Sequence, residues 1–197
     1  MVTAHIGITG AHHTGKTLLA RRIEMELRGS GYTVTRVNGL ARRAATLGFP
    51  KMTRHTAAST EWIITAGAAA KLEAEASADV VICEHSPADA LAYWLAALDH
   101  RGDQAELDTL RHLTLLAGAL TARNTVLLAT TVVAALPLGE HPGKDPDYAN
   151  ERYRQAVDER LHGLLAEQGL DHRLVRVGYE AESVQVAVAA TTRALTP

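Results

Sequence analysis

The sequence predicts an α/β fold, in which a parallel sheet of five strands carries helices on both faces. Short apolar segments alternate along the chain with longer segments of helical periodicity. Two of the apolar segments, 78–83 and 125–130, have the composition of central strands that are covered on both faces. A glycine-rich turn after the first strand leads directly into a helix. No repeat or linker divides the 197 residues, so we expect one domain over 1–197.

The first part of the chain alternates between the two kinds of element. Its glycines and its proline mark the ends of the helices, because Gly29, Gly31 and Gly48 follow helical segments and Pro50 lies just beyond the last of them. We therefore expect a strand at 4–9, a helix at 18–28, a strand at 32–37, a short helix at 40–47, a loop at 51–56 and a long helix at 60–76. The apolar side of the long helix is expected to carry Trp62, Ile63 and Leu72.

The second part of the chain continues the same alternation after the apolar strand at 78–83. Ser86 and Pro87 are typical of a helix N-cap and of the first helical position. Residues 137–146 contain three prolines and two glycines without apolar periodicity, which indicates a loop. The expected elements are helices at 88–98 and 106–121, a strand at 125–130, a helix at 148–167, a strand at 173–177 and a helix at 182–195.

Residues 10–17 match the phosphate-loop pattern GxxxxGK[ST] between the first strand and the first helix. In that setting, backbone N–H groups and the positive end of the helix dipole point at one phosphate. Lys16 would reach the β- and γ-phosphates and Thr17 would bind Mg²⁺. His12 and His13 fill variable positions, and we find no further ligands at a spacing suited to a metal, so they are expected to face solvent or phosphate. ATP and Mg²⁺ are the expected cofactors, and the predicted contacts are Gly10, His12, His13, Thr14, Gly15, Lys16, Thr17 and Leu18.

A carboxylate follows the third predicted strand at the edge where a parallel sheet binds its ligands. This P-loop NTPase arrangement places the crevice at the carboxyl ends of the strands, and Glu84 lies there. Glu84 could hold Mg²⁺ through a water or accept a proton from an acceptor hydroxyl, and the alternative is a helix-capping or salt-bridged glutamate. Asp89, in the first turn of the next helix, fits a dipole-stabilising role and a substrate contact equally well.

Residues 137–154 are predicted to form a lid over the phosphates. Small-molecule kinases close such a segment to exclude water, and its arginines neutralise the charge that develops on the transferred group. Arg152 and Arg154 are the catalytic candidates, with Lys144 third. The alternative is that these arginines pair with nearby carboxylates on an exposed helix.

Charge and composition exclude several classes of function. The net charge is −2, with 20 basic and 22 acidic side chains and no basic run, so no nucleic-acid partner is expected. No apolar segment approaches the ~20 residues of a membrane helix, and no leader is recognisable, so we expect a cytoplasmic protein. The only cysteine, Cys83, fits a reducing compartment, and we expect nearby Glu84 to raise its thiol pKa.

Three segments together resemble one known family. The loop GAHHTGKT, residues 81–93 and residues 40–43 are similar to the AAA-domain family typified by the ribosylnicotinamide-kinase domain of the bacterial NAD regulator. The Glu-x-Ser form at 84–86 also resembles deoxynucleoside kinases, and this resemblance implies that the glutamate is the general base. Arg42 matches the arginine of the family. His85 stands in place of an arginine, and Asn38-Gly39 in place of proline-glutamate.

These observations predict an ATP-dependent nucleotide-kinase-like enzyme that phosphorylates a small hydroxylated acceptor, with a nucleoside-like molecule preferred. The predicted acceptor contacts are Arg42, Trp62, His85 and Asp89. Trp62 has the spacing of a core residue, but it also borders the expected pocket, where it could stack on a flat ring. The alternative is a regulatory ATPase that acts through a protein partner. The family arginine and glutamate that are missing here would weaken an acceptor site, and a regulatory ATPase does not need such a site. The sequence leaves the oligomeric state open, a homodimer included.

Overall fold

One parallel sheet organises the protein. In the computed structural model, which describes residues 3–133, 138 and 145–196, its strands are arranged in the order β2-β3-β1-β4-β5. They are β1 (Ala4–Thr9), β2 (Val34–Val37), β3 (Val80–Glu84), β4 (Val126–Thr130) and β5 (Arg173–Val175). All four neighbouring pairs are parallel. The predicted five-stranded α/β fold is therefore confirmed.

The helices of the described part agree with the predicted segments to within a few residues. They are α1 (Lys16–Gly29), α2 (Leu40–Thr46), α3 (Ala57–Glu75), α4 (Pro87–Arg101), α5 (Leu107–Thr121), α6 (Glu151–Glu167) and α7 (Glu180–Leu195). The predicted loop at 51–56 contains a 3₁₀ turn, Met52–Arg54, and a second 3₁₀ turn, Pro146–Ala149, precedes α6. Lys144 and residues 137 and 139–143 of the predicted lid lie outside the described residues.

The core has a layer on each face of the sheet, as predicted. On one face, α1 and α7 pack against the side chains of β1, β3 and β4, and this layer includes Ile8, Ile23 and Ile82. On the other face, α3, α4, α5 and α6 form a larger cluster that includes Leu91 and Leu161. Each fully buried aliphatic side chain contributes about 1.5–3 kcal/mol to folding. The two layers together hold the sheet, and with it the edge that carries the site, in place.

The apolar side of α3 differs from the prediction at one position. Leu72 is 53% exposed, whereas Ile64, which was not singled out, is 1% exposed. The helix is rich in alanine, and Ala70 and Ala74 pack on the sheet beside Val81. Because alanines make this contact, the large side chains did not mark the buried side, and the expectation for Leu72 was wrong. None of the described helices combines the length and apolar character needed to cross a membrane.

Strand register brings distant residues to one edge of the sheet. Ile8 lies opposite Glu84 in the β1–β3 pair, and Thr9 lies opposite Ala129 in the β1–β4 pair. The turn after β1, the last residue of β3 and the last residue of β4, Thr130, therefore meet at the carboxyl edge.

Candidate functional site

The turn between β1 and α1 lies tightly against the end of β4. Gly10 has a φ of 150°, and a Cβ there would come 1.9 Å from Thr130 Oγ1, so only glycine fits without displacing the threonine. The hydroxyls of Thr14 and Thr130 lie 2.6 Å apart. Gly15 has no atom within 4 Å of the position of a Cβ, so its φ of 84°, and not a lack of space, favours glycine there. Such a turn can accept a phosphate against its backbone.

Lys16 begins α1 and folds back over this turn. Its Nζ donates hydrogen bonds to the carbonyl oxygens of Gly10 (2.7 Å) and Ala11 (2.5 Å). Burial lowers the pKa of Lys16, while the charges of Asp89, Asp158 and Glu84 act in the opposite direction. The carbonyls hold the ammonium at the site where a phosphate oxygen would compete for it.

Thr17 and Glu84, predicted as the metal-binding pair, are in direct contact. The Thr17 hydroxyl donates to Glu84 Oε2 at 2.7 Å, and Glu84 is only 6% exposed. A hydroxyl and a carboxylate are oxygen ligands of the kind that Mg²⁺ prefers. The described residues contain no group of three or more His, Cys, Asp or Glu side chains placed to hold a metal. The Thr17–Glu84 pair could contribute two oxygen ligands to an Mg²⁺ ion.

The other oxygen of Glu84 is bound by two residues that sequence reasoning missed. Arg36 Nη1 donates to Glu84 Oε1 at 3.1 Å, and Asn38 Nδ2 donates to the same oxygen at 3.3 Å. Arg36 also pairs through Nε with Glu24 on α1 at 2.9 Å. The register of β2 on β3, in which Val37 lies opposite Cys83, carries Asn38 to the level of Glu84. Strand pairing was the only signal for this contact, and the sequence alone did not give the register.

Asp89 accepts hydrogen bonds from the start of the turn between β1 and α1. Its Oδ1 accepts from the Thr9 hydroxyl at 2.6 Å and from the Gly10 N–H at 2.9 Å, and its Oδ2 accepts from the Ser86 N–H at 2.8 Å. Burial acts to raise the pKa of Asp89, but hydrogen bonding and charge from His85, with Lys16 and Thr9, leave it lowered overall. Ser86 caps α4 as predicted, and Asp89 completes a capping box. Both oxygens are thus used within the protein, so the placement of Asp89 favours a supporting role over the predicted substrate contact.

The two loop histidines have different surroundings. His13 is exposed, as predicted. His12 is 7% exposed, with Nδ1 2.9 Å from the Tyr93 hydroxyl and Nε2 3.1 Å from the Tyr148 carbonyl. Burial lowers the pKa of His12 to about 4, so the ring is neutral at pH 7. Because a carbonyl only accepts, we assign the proton to Nε2, with Nδ1 accepting from Tyr93. His12 therefore joins the turn to α4 and to the segment before α6, and it does not face solvent.

Helix α6 places one of the two predicted arginines inside the protein. Arg154 is 3% exposed, whereas Arg152 is exposed. One turn after Arg154, the carboxylate of Asp158 accepts from the Val132 N–H at 3.2 Å, and burial raises its pKa. The charges of Lys16 and Arg154 both act on this carboxylate. Arg154 and Asp158 thus lie on the side of α6 that faces the phosphate loop, and Asp158, like Arg36 and Asn38, is a residue of the site that was not predicted.

The remaining predicted acceptor residues lie on three elements. Arg42 is exposed on α2. Trp62 on α3 is half-buried, with its ring 5.5 Å from that of Phe49 and 5.6 Å from the guanidinium of Arg43. Arg43 is therefore the arginine that lies over this aromatic ring. His85 joins β3 to α4 with a φ of 103°, a conformation that favours glycine.

Cys83 faces away from Glu84. Burial raises the pKa of its thiol, Lys71 opposes that change and Glu75 adds to it. The expected direction agrees with the structure, but the expected cause was wrong. Successive residues of a strand point to opposite faces, so Glu84 projects toward α1 and Cys83 toward α3.

Comparison with known proteins gives a family and a fold. The sequence model of the AAA domain family matches residues 5–182. No curated protein sequence matches the chain. Among solved structures, a crystal structure of NadR protein in complex with NR is similar with a TM-score of 0.67 and 15% sequence identity. The similarity covers 96% of this chain and 51% of that one, so this chain spans about half the length of the NadR chain. At this identity the likeness shows a shared P-loop fold.

Proposed function

Because the chain belongs to the AAA domain family, we propose that it is an ATP-dependent phosphotransferase that acts on a small hydroxylated acceptor of the nucleoside type. One observation carries the proposal, namely the 2.7 Å contact between the Thr17 hydroxyl and the Glu84 carboxylate, beside Lys16 in the phosphate loop. This contact unites the first turn of α1 with the end of β3 at the edge where α/β proteins of this kind bind ligands. Phosphoryl transfer needs a phosphate loop and a carboxylate that orients the metal ion to lie close together.

In the proposed reaction, the chain positions the phosphates and balances their charge. The loop N–H groups and the N-terminus of α1 bind the β- and γ-phosphates, and Lys16 exchanges the carbonyls of Gly10 and Ala11 for phosphate oxygens. Thr17 and Glu84 would hold Mg²⁺, which would supply positive charge to offset that of the phosphates. We assign stabilisation of the charge on the transferred group to Arg154, rather than exposed Arg152, since a buried cation interacts more strongly.

The nature of the acceptor is proposed from resemblance and from the surfaces beside the site. The loop and the segment at 81–93 resemble kinases of nucleosides, and NadR, of the same fold, was solved in complex with NR. Trp62 offers a flat ring on α3, and His85 lies at the end of β3 next to Glu84. We assign both to the acceptor side, with Arg42 at its exposed margin.

A regulatory ATPase is the second candidate, and one observation favours it. Thr17 engages one oxygen of Glu84, while Arg36 and Asn38 engage the other. A carboxylate bound in this way is suited to orienting a metal and poorly suited to taking a proton from an acceptor. Asn38-Gly39 also lacks the carboxylate of the resembling family. An ATPase that signals to a protein partner would need neither a residue that takes a proton from an acceptor nor the missing carboxylate of the resembling family.

Measurement of ADP release with MgATP, against a panel of nucleosides, nucleotides and small alcohols, tests the proposal. A kinase predicts that one compound raises turnover well above the rate with water alone. Lys16→Ala and Glu84→Gln should each lower that turnover by about 100-fold or more, because each removes a charge from the transition-state site. Arg21→Ala, which removes an exposed cation of α1 outside the loop, is the matched control.

The outcomes separate the two candidates. Stimulated turnover that survives in Lys16→Ala would refute the assignment of the loop as the catalytic site. A flat panel together with tight ATP binding would replace the kinase by the regulatory ATPase, whose slow hydrolysis a protein partner would change.

A further inference from the structure

Arg36 connects an acidic residue of α1 with the carboxylate that ends β3. Its Nε lies 2.9 Å from Glu24 Oε2 and its Nη1 lies 3.1 Å from Glu84 Oε1. Glu24 belongs to α1 and Glu84 ends β3, so one guanidinium on β2 bridges a helix and a neighbouring strand. The Arg36 side chain is 23% exposed and that of Glu84 is 6% exposed. This ion pair is therefore largely shielded from water.

The bridge restricts the orientation of the Glu84 carboxylate. A guanidinium is planar and its N–H groups are fixed in direction, so an arginine anchored on Glu24 presents Nη1 in one direction only. With Oε1 held by Arg36 and Asn38, Oε2 is the oxygen that meets the Thr17 hydroxyl. The arrangement determines which carboxylate oxygen faces the metal position.

We propose that Arg36, assisted by Asn38, is the positioning residue of the Mg²⁺ site, setting Glu84 so that Oε2 and Thr17 face the ion together. The inference rests on the proposed function, since it presumes that the loop binds a magnesium nucleotide. Arg36 acts through Glu84, and its nearest contacts in the structure are carboxylates. Residues that orient a metal ligand from behind typically change metal affinity by roughly 10- to 100-fold when removed.

The same geometry gives a physical meaning to one departure from the resembling family. Asn38 stands where that family has a proline, and a proline has no side-chain donor. The amide of Asn38 adds a hydrogen bond to Glu84 Oε1 at 3.3 Å, so two donors from the end of β2 share that oxygen. Arg36 on β2 and Asn38 directly after it therefore act together on the proposed metal site.

The test is the dissociation constant of ATP in excess EDTA divided by that in excess Mg²⁺, both measured by titration calorimetry. The ratio reports how strongly the metal contributes to binding, and it cancels changes in the folded fraction of a variant. Arg36→Met should reduce the ratio by roughly 10- to 100-fold while leaving the affinity in EDTA unchanged. Arg36→Lys should recover part of the ratio, since an ammonium restores the charge but not the fork that spans both carboxylates.

Arg28→Met is the matched control. Arg28 also pairs with Glu24, at 3.0 Å, but the contacts of its side chain are with Glu24 and the Val34 carbonyl. Its ratio should equal that of the wild type. An unchanged ratio in Arg36→Met would overturn the inference. If that variant does not fold, Arg36→Lys and Asn38→Ala decide, because each should lower the ratio and unchanged values in both would overturn it. Wild-type protein that binds no ATP would instead refute the proposed function.

Discussion

Buried charge is the dominant physical feature of individual residues at this site. Lys16, Glu84, Asp89 and Asp158 are each less than 8% exposed, and each is close to groups of opposite charge or to hydrogen-bond donors or acceptors. Removing one member of such a set leaves the others without compensation, which costs more than the pair itself contributes. The site therefore requires its side chains to be present together, and single substitutions should have large effects.

Burial of a histidine outside the loop leads to a prediction about acid stability. His55, 4% exposed, follows the 3₁₀ turn at 52–54, and burial lowers its pKa to about 4. The unfolded chain binds this proton near pH 6.5, so the free energy of unfolding should fall as pH drops from about 6.5 to 4. A shift of that size corresponds to a contribution on the order of 3 kcal/mol.

Denaturant unfolding of His55→Gln at pH 7 and pH 4.5 tests this expectation. The loss of stability between the two pH values should be about 2–3 kcal/mol smaller in the variant than in the wild type. His112→Gln, which changes an exposed histidine of α5, should retain the full wild-type loss. An equal pH dependence in His55→Gln and wild type would contradict the assignment of the buried neutral ring.

At the scale of elements, one carboxylate ties together β1, the phosphate loop and α4. Asp89 accepts hydrogen bonds from Thr9, Gly10 and Ser86 through both of its oxygens. In Asp89→Asn the amide would direct N–H groups at donors. We expect this change to destabilise the protein by about 2–3 kcal/mol, the typical cost of leaving buried donors without acceptors. Equilibrium unfolding in urea measures the difference.

The first turn of α5 provides the matched control. Asp108, like Asp89, lies in the first turn of its helix, but it is exposed, so Asp108→Asn should change the free energy of unfolding by less than about 1 kcal/mol. Similar losses in both variants would mean that helix-dipole interaction, not the buried hydrogen bonds, explains the stabilising effect of Asp89.

The same elements show what the sequence could predict and what it could not. Lys16 and Thr17 were predicted because the phosphate loop is local, with its residues adjacent in the chain. Glu84 was predicted because a charge directly after an apolar strand is a local pattern. Arg36 and Asn38 were missed because their contact with Glu84 spans 48 and 46 residues and depends on strand register. Asp158 was missed as a residue of the site, since nothing local indicates that α6 turns it toward the phosphate loop.

At the scale of the whole molecule, strand order assembles the site from distant parts of the chain. The order β2-β3-β1-β4-β5 places β1 between β3 and β4, so the loop after β1 meets Glu84 on one side and Thr130 on the other. Helix α6 adds Arg154 and Asp158 from a still later segment. A ligand that contacts residues from all of these elements stabilises the packing between them, and not only the phosphate loop.

Nucleotide binding should therefore raise the thermal stability of the whole protein. A ligand at 100 times its dissociation constant adds about 2.7 kcal/mol to the free energy of unfolding. For a domain of this size, we expect the melting temperature to rise by roughly 5–10 °C with MgATP. Lys16→Ala should lose most of this rise because it removes the phosphate-binding ammonium, whereas Arg21→Ala, an exposed cation of the same helix, should keep it. Differential scanning calorimetry of the three proteins with and without MgATP measures the effect. An equal rise in the melting temperature of Lys16→Ala would mean that the nucleotide binds outside the phosphate loop. The site formed by β1, β3, β4 and α6 would then not be the nucleotide-binding site.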